Sequence, residues 1–157
     1  MITRMLKLIA LALMAVFAVM AADLPNRKYL DLSAIKKMVA AAEAEAQKRN
    51  VKVTICIVDD SGDLLFLQKA DGVTRNTVSF AQKKARYAAI YGRPSKRAQD
   101  ALKGGDMLPL TAPDGFPNQG GLPIQVDGIT IGAMSCSGAP SEVDEAIAQA
   151  GIDAILK

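Results

Sequence analysis

Between Leu32 and Arg49 the apolar residues Leu32, Ile35, Met38, Val39, Ala42 and Ala46 recur every three or four positions, which places them on one face of a helix. Asp31 or Ser33 can cap its start, and Asn50 ends it. The period then drops to two. Val51, Val53, Ile55 and Ile57 alternate with Lys52, Thr54, Cys56 and Val58, as in a strand with one face more apolar than the other. The turn Asp60-Ser61-Gly62-Asp63 leads into a second strand, Leu64 to Gln68, and so short a connection makes the pair antiparallel. A second helix is predicted from about Thr74 to Tyr91. One stripe of it, Val78, Ala81, Ala85 and Ala88, is small enough to lie close on a sheet, whereas Phe80, Lys84, Tyr87 and Tyr91 form a stripe that is aromatic and cationic.

Pro94 and Ser95 open a short third helix that stops at Gly104. The stretch from Gly104 to Pro123 is dense in glycine and proline and reads as a loop around one short strand at Leu108 to Leu110. Loops of this length in compact domains are usually functional. Leu122 to Val126, Asp127-Gly128 and Ile129 to Ser137 spell a β-hairpin. Ser141 with Asp144 has the spacing of a capping box, and Val143, Ile147, Ala150 and Ala154 supply the buried face of a last helix. Hairpin connections and helices together define one α+β domain with a mostly antiparallel sheet.

The beginning of the chain follows another logic. Arg4 and Lys7 precede an uninterrupted apolar run, Leu8 to Met20, and the small residues Ala21 and Ala22 follow it before Asp23, the pattern of a secretory signal peptide spanning residues 1–21. The run is about 13 residues long, short of the ~20 that span a bilayer. The expected mature chain is therefore residues 22–157, periplasmic or secreted, with no stable membrane span. Losing Arg4 and Lys7 brings it close to neutrality, and even the full chain carries only +3, too little to suggest a nucleic-acid partner. Its 157 residues hold no histidine, which removes the commonest general base and metal ligand, and no tryptophan. Asp60-Ser61-Gly62-Asp63 lacks the alternating oxygen ligands of a calcium loop and reads as a turn. Gly120-Gly121 precedes a strand and lacks phosphate-loop spacing, so its glycines serve a positive φ or a close backbone approach.

Val58-Asp59-Asp60-Ser61-Gly62-Asp63-Leu64-Leu65, Asp71-Gly72, Lys84-Ala85, Gly120-Gly121-Leu122-Pro123-Ile124, Val126-Asp127-Gly128, Ile131-Gly132-Ala133 and Ser137-Gly138-Ala139 occur in that order. The set resembles the GlcG and HbpS-like family of haem-binding proteins, from Leu32 to the C-terminus. The resemblance implies a profilin-like α/β/α sandwich around a five-stranded antiparallel sheet, assembly as homo-oligomers, haem at subunit surfaces in some members, and kinship with domains that accompany corrinoid enzymes.

Under that resemblance the candidate cofactor is haem, with a corrinoid as the alternative. The candidate contacts are Arg75, Phe80, Lys84, Tyr87, Tyr91, Gly120 and Gly121. Lys84 resembles the family's recurrent helix lysine. Tyr87 stands where the family commonly has a small hydroxyl residue, so the chain departs from its relatives there. A phenolate can ligate ferric haem, and Lys84, Arg75 or Arg86 could pair with propionates. The plainer alternative has Tyr87 covering the sheet edge and Lys84 snorkelling. Met107 is the alternative iron ligand, and Met134, in a strand pattern, reads as core. The family fold sets the strands of Cys56 and Cys136 side by side, where a disulfide forms only if the register makes them opposite. Otherwise they are two buried thiols. The functional expectation is an exported tetrapyrrole binder acting as a homo-oligomer. The alternatives are an enzyme on small carbonyl or hydroxy acids, using Asp59, Asp127 or Lys84, and a structural accessory to an exported enzyme.

Overall fold

The computed structural model describes residues 26–156, so the expected signal peptide lies outside the described residues. Helix α1 is Leu32–Lys48. Strands β1, Thr54–Asp59, and β2, Leu64–Lys69, follow it. Helices α2, Thr77–Tyr91, α3, Lys96–Lys103, and α4, Leu108–Thr111, come next. Strands β3, Gly121–Val126, and β4, Ile129–Ser137, lead to α5, Ser141–Leu156. All strand pairs are antiparallel and the sheet runs β2-β1-β4-β3. Among the described residues it has four strands where the resemblance implied five, with the α/β/α layering otherwise as expected.

Local chemistry sets the boundaries. The Asp31 carboxylate accepts from the Ala34 amide at 2.6 Å and starts α1, and Asn50 ends it in the left-handed region at φ 53°. Asp59 Oδ1 takes the amides of Ser61 and Asp63, closing the β1–β2 turn. Asp127 and Gly128 both hold positive φ, as the tight β3–β4 hairpin requires. Leu108-Pro109-Leu110 forms the short helix α4 and not a strand, because Pro109 suits a first helical turn and three apolar residues are too few to display a period. The capping box is also corrected. Ser141 is already helical, the amides of Val143 and Asp144 donate to the Pro140 carbonyl, and Asp144 reaches back to the Ala139 amide at 3.0 Å.

The pleat of β1 divides the interior. Ile55 and Ile57 face α1 and α5, where Met38, Ala42, Met134, Ile147 and Ile152 complete the larger core. Cys56 and Val58 face α2, whose contribution is Ala81, Ala85, Ala88 and Ala89. The small stripe therefore does lie on the sheet, with Ser135 Oγ donating to the Ala81 carbonyl at 2.5 Å. Cys56 is paired in register with Ser135, and Cys136 with Ile55. The two thiols consequently point to opposite faces, and both are free and buried. Burial pushes the Cys56 thiol up to about 12, as expected of inert core cysteines.

Candidate functional site

Helix α2 ends at Gly92, whose left-handed φ of 58° turns the chain sharply back. The reversal lays Arg93 across the last turn of the helix it has just left. Tyr87 and Tyr91, one helical turn apart, stack with centroids 4.7 Å apart. The Arg93 guanidinium lies 5.7 Å from the first ring and 5.2 Å from the second, and its Nε donates to Tyr87 Oη at 3.0 Å. Helix α3 brings Arg97, Ala98 and Ala101 alongside, and α4 with its flanks adds Asp106, Leu108, Pro109, Ala112 and Gly115. The cleft encloses about 300 Å³. Met107, Leu108 and Leu110 stand exposed beside it, an apolar margin uncommon on a free surface.

The residues expected at the site are distributed unevenly. Tyr87 and Tyr91 share this cleft, with Tyr87 only 2% exposed and Tyr91 Oη donating to the Pro113 carbonyl at 2.5 Å. Met107 is exposed immediately before α4. Phe80 lies farther back along α2 and packs edge-on against Phe116, centroids 5.3 Å apart. Arg75 precedes the first turn of α2, so roughly 15 Å of helix, at ~1.5 Å per residue, separates its end from Tyr87. Arg86 is engaged by Asp114 at 2.6 Å. The loop carrying Pro113, Asp114 and Phe116 thus covers the outer face of α2 from within the same chain.

Lys84 is the main correction. It does not extend along the aromatic stripe toward a ligand carboxylate: it is 1% exposed, and its Nζ donates to Asp144 Oδ2 at 3.0 Å and to the Gln119 carbonyl at 3.2 Å. Burial raises the Asp144 carboxyl above its ordinary range, opposed by Lys84 and by backbone amides of Ala139 and Gly138. Gly120 and Gly121 are shaped by this same contact. A Cβ on Gly121 would sit 2.3 Å from the Lys84 carbonyl oxygen, and one on Gly120 2.6 Å from Lys84 Nζ. The glycines let α2 and its lysine approach, and neither glycine lines the cleft. Asp59, Asp127 and Lys84 do not converge either. Asp59 is held in its turn, Asp127 pairs with Lys28 at the hairpin tip, and Lys84 pairs with Asp144.

Arg93 and Arg97 escaped the sequence reading because nothing before the Gly92 reversal shows that residues after a helix return to its aromatic face. Gly92 followed by Pro94 is the signal that marks such a return.

Layering, sheet order and the α2 cleft define a small single-sheet α/β/α domain with an aromatic, arginine-bearing cleft at one end of a helix. A model of the HbpS-like family, described as haem degrading protein HbpS-like, matches residues 30–153, and the chain belongs to that family. Protein GlcG of Escherichia coli strain K12 is 38% identical over 100 residues, covering 64% of this chain and 75% of GlcG. A double mutant of HbpS from Streptomyces reticuli superposes with TM-score 0.78 at 27% identity, covering 87% of this chain and 94% of that one. The PduOC:heme complex superposes with TM-score 0.75 at 26% identity, over 82% and 96% of the two chains.

Proposed function

We propose that this chain is an exported protein, periplasmic or secreted, that binds haem or a related tetrapyrrole in the cleft of Tyr87, Tyr91, Arg93 and Arg97 and acts as a homo-oligomer. The observation that carries the reading is the Arg93 guanidinium spread over two stacked tyrosine rings, with Arg97 in the same cleft. An aromatic wall, guanidinium groups for carboxylates and an apolar margin at Leu108 suit an amphipathic macrocycle with acidic side arms. The haem complex of a relative, PduOC, supports that ligand class. Export rests on the leader pattern in residues 1–21, and self-assembly on the exposed Met107, Leu108 and Leu110.

The donor set fits haem without histidine. Tyr87 offers a phenolic oxygen, buried and held by Arg93, that an iron would take once Arg93 moved aside, and Met107 offers an exposed thioether. Bound haem would supply an iron that takes such a donor. The chain's own part is to stack the ring, neutralise its carboxylates and exclude water from the Tyr87 side. A corrinoid would meet the same wall.

Titration with haemin tests the reading. Saturable binding with a new absorption band is expected, together with a phenolate-to-iron charge-transfer band that Tyr87→Phe abolishes while ring packing is kept. An unchanged spectrum in Tyr87→Phe would reassign the ligand to Met107 or a water. No saturable binding by the unaltered chain would overturn the tetrapyrrole reading.

A further inference from the structure

The short segment Gln119–Gly121 is a junction on which elements from both faces of the sheet meet. From α2, Lys84 Nζ donates to the Gln119 carbonyl at 3.2 Å. From α5, Asp144 holds that ammonium at 3.0 Å, and Glu145 Oε1 accepts from Gln119 Nε2 at 3.0 Å. From β4, the Cys136 amide donates to the Gly120 carbonyl at 3.2 Å. What lies on the remaining side is the arginine-bearing wall of the cleft. The Ser95 amide donates to the Gly121 carbonyl, and the Gly121 amide returns a bond to Ser95 Oγ, both at 2.9 Å. Gln99 Oε1 accepts from the Gln119 amide, again at 2.9 Å.

Ser95 lies midway between Arg93 and Arg97 and is fully buried, whereas both arginines are exposed. Helix α3 packs on the short α4 and has few contacts with the sheet or the long helices. Its anchorage is therefore mainly polar, and the anchor point runs from Gln119 and Gly120 of the loop into Gly121, which opens β3 opposite Ser135 of β4; neither glycine has a side chain to pack. Strand β4 holds the Gly120–Gly121 end, and the buried ion pair holds the Gln119 end.

We infer that the Lys84–Asp144 pair is a positioning device for the ligand cleft: by fixing the Gln119 carbonyl it sets Gly121, through Gly121 it sets Ser95, and through Ser95 it sets where Arg93 and Arg97 stand against the tyrosine rings. Neither member of the pair touches the ligand. The role explains why a charged pair is kept where an apolar pair of similar volume would fill the space without its desolvation cost. It rests on the cleft proposed above being the binding site, but its mechanical part is independent of any ligand.

The test uses the full chain and haemin. The double variant Lys84→Met with Asp144→Leu removes both charges and retains the volume, and Ser95→Ala removes the relay while leaving the pair intact. Both should keep a cooperative thermal transition. Both should show faster amide exchange at Ser95 and Gly121 than the unaltered chain, and bind haemin about tenfold more weakly, the loss typical of one misplaced charge-assisted bond. Core amides in β1 should exchange as before. A purely structural pair predicts otherwise: the double variant, once stable, would leave exchange at Ser95 and haemin affinity unchanged, and that result overturns the inference. If the double variant does not fold, the milder Asp144→Asn, which removes the charge and keeps the shape, is read in the same way, and unchanged exchange at Ser95 overturns the inference. If Arg93→Ala and Arg97→Ala leave haemin binding untouched, the cleft reading fails, and the exchange measurement still settles the mechanical claim.

Discussion

Lys84 and Asp144 belong to helices on opposite faces of the sheet, yet Lys84 Nζ and Asp144 Oδ2 lie 3.0 Å apart because the lysine passes Gly120, just ahead of the point where β3 begins. The contact joins the two helical layers without crossing a strand.

Removing one partner should be far worse than removing both. Lys84→Met strands a carboxylate in the interior and is expected to cost about 3–5 kcal/mol, most of which the added Asp144→Leu change should recover. Chemical denaturation of the two variants checks this, and equal losses in both would contradict it.

The same carboxyl gives a pH signature. Burial raises Asp144 above its unfolded value, so the folded protein holds this proton more tightly, and the group's stabilising contribution is complete below the unfolded pKa, ~3.9 for aspartate, and lost as pH rises through the folded value. Asp144→Asn removes the term. Its destabilisation relative to the unaltered chain should therefore be largest in acid and shrink as pH rises out of the ordinary carboxylate range, measured by urea midpoints across that interval. A difference that widens with pH would refute the assignment.

Backbone contact at Gly121 predicts an asymmetric glycine series. Gly121→Ala drives a methyl into the Lys84 carbonyl and should cost about 1–3 kcal/mol, the usual range for overpacking. Gly128→Ala meets no atom within 4 Å and is opposed only by its φ of 77°, at about 1 kcal/mol. Thermal midpoints rank the pair.

Among the arginines, position decides effect. Arg93→Ala and Arg97→Ala should each weaken haemin binding about tenfold, as loss of a charge-assisted bond does, whereas Arg75→Ala, beyond the far end of α2, should leave it unchanged. Equal effects from all would indicate only long-range attraction.

The thiols should stay apart. Cys56 and Cys136 face opposite layers, so mild oxidation is expected to leave both free, and a thiol reagent should count them only after denaturation. An internal mass loss of two hydrogens on oxidation would disprove the register.

What the sequence disclosed was whatever repeats along the chain. The face from Leu32 to Ala46, the alternation Val51 to Val58 and the Asp127-Gly128 turn each state their structure locally, and the helices and hairpins follow from them. The site is assembled from contacts that no period carries. Asp144 looks like a capping residue because it does reach a backbone amide, and its second oxygen, bound to Lys84, leaves no mark in the sequence. Lys84 falls on the aromatic stripe by spacing alone, but the glycines at 120 and 121 draw it inward. Arg93 and Arg97 depend on the reversal at Gly92.

The alanine floor beneath α2 has a further consequence for how the molecule breathes. Ala81, Ala85, Ala88, Ala89 and Ala133 bury little apolar area each, whereas the opposite layer is sealed by Met38, Ile57, Ile124, Met134 and Ile147. The α2 layer has the smaller side chains of the two, and polar ties at Lys84, between Thr77 and Thr54 and between Ser135 and Ala81 complete its attachment. It is the layer that should detach first in partial unfolding, and it carries Tyr87, Tyr91 and the cleft. A ligand bound there would therefore act as a fastener, slowing the release of one half of the sandwich while leaving the other half's stability almost untouched.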